Sequence, residues 1–513
     1  MTDNTHDAKR RITRNVIFSL VAWFLPLVVA FIATPILVKS LGTEQYGILA
    51  LVLGFLSYSF TFGTGKIVAK FIPELLPRNQ SEKLSEVISA TLWFSLSIAL
   101  IGSVTVALLA GYLVSNVLLI PFESREMAVA SLYLASATGL VVMVGQTFQF
   151  VLQGLHRFGS YVLLTTLNGL MLGVGNIVLV LSGYGVASLL AWNLITAVFT
   201  GLLFFIRARR FMPEFTPTFR IDNSIWGSVL KYGGNIILFQ VFANILYVFE
   251  RTWVTRKFGP QGLTFYSVPM LLAVYMHGIV ASFAQPLFPQ INELLDNRDK
   301  LVSLYQKATK IVLAVVTFSS VAYTIAGKSF LSLWVNADLA ENSYSLLVIH
   351  SLTFGLMAIT IISLQVAEAF RFSRLMSIMT FTWMILSIPL MIFAADLWGS
   401  QGVAMSRLIA VVLTFPLILF VEKKFLGHVF WRFWLAAGSR LIVAAAATTF
   451  FGFHFFYRIQ ESWLTLVVGI IGCSILFAAL LLISGYLSRN ERDLIRSLVI
   501  NSRPNVIADS SID

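Results

Sequence analysis

Cysteine is almost missing from this chain: Cys473 is the single thiol in 513 residues, and it lies inside an apolar run. Disulfides and cysteine-ligated metal centres are excluded as its framework. Charge is scarce as well. Asp, Glu, Lys and Arg make up 12% of the residues, where a soluble domain carries about 25%. Acid is scarcer than base, 24 residues against 36, for a formal charge of +12. A soluble chain with that balance would point to nucleic acid. Here the Lys and Arg are scattered among short loops, the habit of the cytoplasmic loops of membrane proteins, so nucleic acid is set aside as a partner. The patterns HExxH and Gly-x-x-x-x-Gly-Lys-[Ser/Thr] are absent, as is any His/Cys cluster. No catalytic residue, metal or cofactor is therefore expected, and no enzyme. A cleavable leader is not expected either. Lys9, Arg10, Arg11 and Arg14 precede the first apolar run, but that run has spanning length and no small-residue cleavage pattern.

What is abundant is apolar surface. The set AVILMFWYC supplies 58% of the residues and the mean hydropathy is +0.84, more than a soluble fold can cover and what lipid can. Runs of about 20 residues, the length that crosses a bilayer, fall near 15–38, 47–69, 86–113, 127–152, 160–182, 186–206, 233–254, 264–289, 308–327, 344–367, 373–395, 401–421, 437–457 and 462–487. These are fourteen predicted spans. The fold class is all-α, a polytopic membrane protein. With the N-terminus inside, and with Arg251, Lys310 and Arg374 at span ends counted with their adjoining turns, 26 of the 36 Lys and Arg lie on inside segments, 7 lie on outside turns, and Lys66, Arg407 and Arg440 fall within spans. That bias supports the count and places both termini in the cytoplasm.

The halves resemble each other at a displacement near 217 residues. Gly42 after span 1 answers Gly259 after span 7, and Glu74-Leu75-Leu76 answers Glu293-Leu294-Leu295. Arg157-Phe158 answers Arg371-Phe372, and Gly185-Val186-Ala187 answers Gly402-Val403-Ala404. Six spans per repeat is even, so the repeats enter the membrane in the same direction, an arrangement found in secondary transporters. The expected organisation is a tail (1–14), a six-helix bundle (15–206), a cytoplasmic linker (207–231), a second bundle (232–421), a C-terminal pair (422–487) and a polar tail (488–513). The outside turn at about 328–343 is expected to be the longest.

One stretch carries a family likeness. Arg14-Asn15 leads span 1, followed by Ile32-Ala33-Thr34-Pro35-Ile36-Leu37-Val38 and Leu41-Gly42-Thr43-Glu44-Gln45-Tyr46-Gly47-Ile48. Gly63 to Lys66 come next in span 2, and Gln153-Gly154-Leu155-His156-Arg157-Phe158 turns after span 4. With the tandem six-span repeats and the extra pair, this resembles the Wzx-type polysaccharide flippases of the multidrug/oligosaccharidyl-lipid/polysaccharide exporter superfamily. The resemblance implies a cell-membrane protein that moves an undecaprenyl-pyrophosphate-linked oligosaccharide from the inner to the outer leaflet. Membrane lipids would surround it, and a polysaccharide polymerase would be its partner. A sugar chain needs a polar, hydrated path, because each unsatisfied polar group in hydrocarbon costs several kcal/mol.

Ionisable residues within spans are candidates by default. Lys66 and Arg407 suit an anionic pyrophosphate, although Lys66 could equally snorkel to the interface and Arg407 could pair with a carboxylate elsewhere in the second bundle. Glu250 and Arg251 point about 100° apart, so one can face a cavity while the other reaches the interface. Arg251 joins the substrate candidates, and Glu250 is a candidate carrier of a coupling proton or sodium ion. Glu368, within reach of Arg371 and Arg374, and His277 are further coupling candidates, with a turn salt bridge and a plain interhelical hydrogen bond as their simpler readings. His350 and Arg440 read as an interhelical bond and an interface anchor. Asn168 and Asn176 share a face of span 5, and with Gln146, Gln149 and Gln153 they are candidate liners of the first cavity. Asn235, Gln240 and Asn244 would be their counterparts in the second bundle. Pro26, Pro35, Pro269, Pro286 and Pro289 permit kinks. Two other functions compete: a cation-coupled multidrug antiporter of the same superfamily, which generally keeps acids in the bundle core, and a membrane polymerase or ligase, which would carry a large catalytic outside loop.

Overall fold

The computed structural model describes residues 3–59, 64–78, 80–284, 286–372, 374–456 and 462–486. The side chains of 3–24, 26, 58, 59, 232, 233 and 235–239 are outside the described set, so the basic flank at 9–14, Pro26, Gly63, Asn235 and the tail 488–513 lie outside the described residues.

Helices account for nearly all of it, and among the described residues there is no strand, as a bilayer requires of a spanning chain whose backbone must satisfy itself. The helices are α1 (Asp3–Ser59), α2 (Gly65–Leu75), α3 (Ser81–Tyr112), α4 (Phe122–Gly154), α5 (Phe158–Leu181) and α6 (Val186–Phe211). The second set is α7 (Asn223–Ala284), α8 (Leu287–Glu293), α9 (Arg298–Trp334), α10 (Ala337–Ala369), α11 (Arg374–Leu413) and α12 (Phe415–Val421). The last pair is α13 (Trp431–Phe451) and α14 (Trp463–Ile483). Eleven of the described helical segments are long and apolar enough to cross a membrane.

Three rods are bent. Gly42 in α1, Gly259 in α7 and Gly399 in α11 have φ of 77°, 71° and 60°, a region open to glycine at no steric penalty. The chain folds back there. Tyr266 reaches Glu250, 16 residues away, where a straight helix would hold them about 24 Å apart. A Cβ on Gly402 would lie 2.1 Å from the Ala394 carbonyl oxygen. Two arms in each bent rod reconcile eleven segments with fourteen spans.

The repeat is written in the backbone. Gly42 and Gly259 are 217 residues apart, Gly183 (φ 85°) and Gly399 are 216 apart, and His156 (φ 54°) and Arg371 (φ 59°) are 215 apart. His156 and Arg371 close the same turn: Arg157 N–H donates to Leu152 O and Phe372 N–H to Ala367 O, each at 2.8 Å. This is the six-to-one bond that satisfies a helix's last carbonyls.

Two expectations change. Helix α9 starts at Arg298 rather than near 308, with the Asn297 side chain accepting from Lys300 N–H. Helix α10 starts at Ala337 rather than near 344, capped in the same way by Asn336. The turn expected at 328–343 is therefore only Val335-Asn336. Asp338 sits in the first turn of α10, where a carboxylate suits the helix dipole, so polar residues that read as loop are helix. Within span 2, α1 is described to Ser59 and α2 from Gly65, and residues 60–63 lie outside the described residues.

Lipid gives helices no hydrophobic reason to associate, so close backbone approach carries the packing. A Cβ on Gly65 would meet Phe150 at 2.2 Å, one on Gly154 would meet Ile72, and one on Gly145 would touch Gly201 Cα at 3.4 Å. The side chains left outward are apolar: Leu108 is 80% exposed and Ile483 82%. The bundles meet along the hairpins of α1 and α7. A Cβ on Gly47 would come within 1.8 Å of the Pro260 carbonyl oxygen, and the Thr264 hydroxyl donates to Thr43 O. Arg256 Nη1 donates to Asn116 O and Val117 O at 2.7 and 2.9 Å. At the opposite face the linker holds the first bundle. Trp93 Nε1 donates to Thr218 O at 2.9 Å, and Ile225, Trp226 and Val229 of α7 pack on Ile67, Val87 and Ala90. The Ser224 backbone N–H bonds Asp222 Oδ1 at 2.8 Å. That bond, with one from the Ser224 hydroxyl, holds the Asp222 carboxyl below its usual range.

Candidate functional site

Helices α4, α5 and α6 enclose a cavity of about 280 Å³ in the first bundle. Gln146 and Gln149 come from α4, Thr165 and Asn168 from α5, Asn193 and Thr200 from α6, and Ser57 from the second arm of α1. No charged side chain is among its lining residues. Thr200 Oγ1 lies 3.1 Å from Asn168 Oδ1. Asn193 Oδ1 and Thr165 Oγ1 are buried with no hydrogen-bond partner among the described residues. A buried polar atom left in that condition costs about 1–3 kcal/mol, so the cavity is built for water or a polar ligand.

Of the five amides expected here, Gln146, Gln149 and Asn168 line the cavity, and Asn176 and Gln153 do not. Asn176 lies two turns along α5, and its Oδ1 is buried with no hydrogen-bond partner among the described residues. Gln153 belongs to the last turn of α4, beyond the cavity.

The second bundle concentrates charge. Arg407, on the second arm of α11, and Glu250, on the first arm of α7, are 2% and 0% exposed and pair at 2.6 Å. The Tyr266 hydroxyl donates to the other carboxylate oxygen of Glu250. The Arg407 guanidinium lies 4.2 Å over the Tyr247 ring and 5.0 Å from that of Phe354, contacts that favour a desolvated cation. His350 is 0% exposed, edge-on to Tyr266 at 4.7 Å, and neither ring nitrogen has a hydrogen-bond partner among the described residues. His277 Nδ1 lies 3.2 Å from Phe354 O, the interhelical bond that was its simpler reading.

The cations singled out in the sequence are not brought together. Arg407 faces a carboxylate inside its own bundle. Arg251, one residue beyond Glu250, points the other way into the bundle interface, where a Cβ on Gly54 would meet its Cδ at 2.5 Å. Lys66 is exposed in the first turn of α2, and Glu368 is exposed in the last turn of α10. Gln240 and Asn244 do not mirror the first cavity: Gln240 Nε2 donates to Asn244 Oδ1 at 2.9 Å along one helix.

Tyr266, Tyr247, Asn193 and Thr200 were missed in the sequence. Tyr266 had a signal, because Glu250 and Tyr266 lie nine and seven residues from Gly259, and a hairpin turned at that glycine brings such positions together. Asn193 is a buried amide in an otherwise apolar span, the same signal that singled out Asn168.

The comparisons with known proteins agree with this architecture. The sequence model of a family described as polysaccharide biosynthesis protein matches residues 12–295. A Shigella flexneri protein assigned as an O-antigen transporter is 19% identical over 416 residues, which span 78% of this chain and 95% of that protein. Among solved structures, the fold is similar to that of the lipid II flippase MurJ in an inward closed conformation. The TM-score is 0.71 at 16% identity, over 94% of this chain and 100% of that one. It is also similar to an inward-facing multidrug resistance MATE family transporter of the MOP superfamily. There the TM-score is 0.61 at 16% identity, over 79% and 96%.

Proposed function

This chain belongs to the polysaccharide biosynthesis protein family, and on that premise we propose that it is a flippase for a lipid-linked oligosaccharide. It carries an undecaprenyl-pyrophosphate-linked sugar chain from the inner to the outer leaflet of the cell membrane, for surface polysaccharide assembly, and makes or breaks no bond in it. The likeness to an O-antigen transporter and to a lipid II flippase supports the reading.

The observation that carries it is the cavity of the first bundle, lined by amides and hydroxyls without a charge. Sugar hydroxyls both donate and accept hydrogen bonds. Gln146, Gln149, Asn168 and Asn193 can do the same, while the prenyl tail stays in the bilayer. A multidrug cation would call for a carboxylate. None lines this cavity, and the buried Glu250 is already neutralised by Arg407, so the antiporter reading is the weaker one.

The charge bias puts the Gly42 and Gly259 turns outside and both termini in the cytoplasm. The bundles joined at those hairpins then describe a state closed to the outside, and rocking them apart opens it. In that cycle Arg251 and Lys66 meet the pyrophosphate. Glu250 couples the motion: a proton or sodium ion on its carboxylate releases Arg407. A polysaccharide polymerase receives the product.

The test is the leaflet distribution of lipid-linked oligosaccharide in a strain lacking the chain, complemented with wild type or with Gln149→Leu plus Asn168→Leu. The reading expects repeat units to accumulate facing the cytoplasm without the chain, to clear with wild type, and to persist with the double variant. Absence of accumulation in the deleted strain would sink it.

A further inference from the structure

At the end of the molecule that the charge bias places outside, one side chain reaches across from the second bundle to the first. Helix α3 runs on as a wide turn over Leu113–Val117, and the chain then swings away at Leu119 (φ 53°), a conformation uncommon for a residue with a side chain. The last carbonyls of a helix have no donor within it. The neighbouring carbonyl of Ile120 is served from the first bundle, by Arg125 Nε at 3.0 Å. Those of Asn116 and Val117 are served from the second, by Arg256 Nη1 of α7 at 2.7 and 2.9 Å. We propose that Arg256 is the latch of the outer closure: it caps the end of α3 from the opposite bundle and lets go each time the bundles part.

The next residue along marks the difference. Lys257 bonds Asp396 at 2.7 Å, and Asp396 belongs to α11 of the same bundle. That pair travels as a piece when the bundles rock, whereas the Arg256 bonds have to break. Beside them, on the hairpins that carry Gly42 and Gly259, Gly47 packs on Pro260 and the Thr264 hydroxyl donates to Thr43 O. At the opposite face the chain itself joins the bundles, through the linker between α6 and α7. Release therefore has to come at the outer end.

The chemistry suits a bond that is made and broken repeatedly. The C-terminal end of α3 is the negative pole of its dipole and draws a cation. The partners are neutral carbonyls, and Arg256 is exposed. A released guanidinium thus returns to water and is not stranded, as one member of a buried ion pair would be. The proposal rests on the rocking cycle proposed above, and not on what is carried.

The test is a distance. Spin labels are placed at Glu123→Cys and Ala337→Cys, exposed positions in the first turns of α4 and α10, one on each bundle. The full-length chain, with Cys473→Ala, is measured in nanodiscs by double electron–electron resonance. Arg256→Ala is expected to raise the ratio of long to short distances about tenfold, the scale of one bond to a charged group. Lys257→Ala removes the same charge one residue away and should leave the wild-type distribution. If Arg256→Ala does not fold, Arg256→Gln carries the test with the same expected direction. A distribution unmoved by the loss of Arg256 would overturn the proposal, and so would equal opening by Lys257→Ala, which would assign the effect to charge alone. Translocation plays no part in this readout, so failure of the latch and failure of the flippase reading are separate results.

Discussion

In the first bundle the polar groups are amides and hydroxyls around a cavity of about 280 Å³. In the second they are a carboxylate and a guanidinium 2.6 Å apart, packed between aromatic rings. The two bundles share positive-φ turn positions, Gly42 with Gly259, Gly183 with Gly399 and His156 with Arg371, while their interior side chains differ. Interiors are free to specialise. One holds a polar cavity without a charged lining residue, and the other a buried ion pair.

The comparison breaks most visibly at the locked pair. Arg407→Ala leaves the buried Glu250 carboxylate without its cation, with only the Tyr266 hydroxyl bonded to it, which costs about 3–5 kcal/mol; loss of folded protein and a marked fall in detergent melting temperature are expected. Replacing both partners, Arg407→Met with Glu250→Gln, should recover most of that melting temperature, since a buried pair is weak in net terms and severe only when halved. If the double variant melts as low as the single, the pair is not the unit described here.

Tyr266→Phe removes the hydrogen bond to the same carboxylate and should destabilise by about 1.5–3 kcal/mol, the range for bonds to charged groups. The measurement is the same melt, and additivity with Arg407→Met/Glu250→Gln would show that Tyr266 acts elsewhere. Gln149→Leu in the first cavity should leave the melt near wild type while slowing translocation about tenfold, because an unmatched sugar hydroxyl costs about 1–3 kcal/mol. An unchanged translocation rate would remove Gln149 from the path. The smallest effect belongs to Lys257→Ala. Its partner Asp396 is 65% exposed, and an exposed pair contributes about 0–1 kcal/mol, so a melt shift as large as that of Tyr266→Phe would contradict the distinction between buried and surface charge.

Much of this was legible in the sequence, for identifiable reasons. Apolar run length gave the spans, and the glycines at 42, 259 and 399 stand where the rods fold back. Asn168, Gln146 and Gln149 were readable as cavity liners because an amide in a lipid-crossing helix must find a partner. Asn176 read the same way but is not among the residues lining this cavity, because helical spacing gives a shared face and not how far along the helix a cavity reaches. The Glu250–Arg407 pair joins residues 157 positions apart, and neither residue's own helix names the other. Asp338 and Glu341 were misread as loop because hydropathy alone does not distinguish a capped, charged helix start from a turn.

The most direct measurement takes the purified chain into proteoliposomes carrying a lipid-linked oligosaccharide on one leaflet, and follows the sugar's accessibility to an added glycosidase on the other. The account expects the sugar to become accessible with wild type and to stay inaccessible in protein-free vesicles, with the Gln149→Leu/Asn168→Leu variant near the protein-free rate. Accessibility that wild type does not raise above protein-free vesicles, in preparations where the protein is folded and oriented, would contradict it.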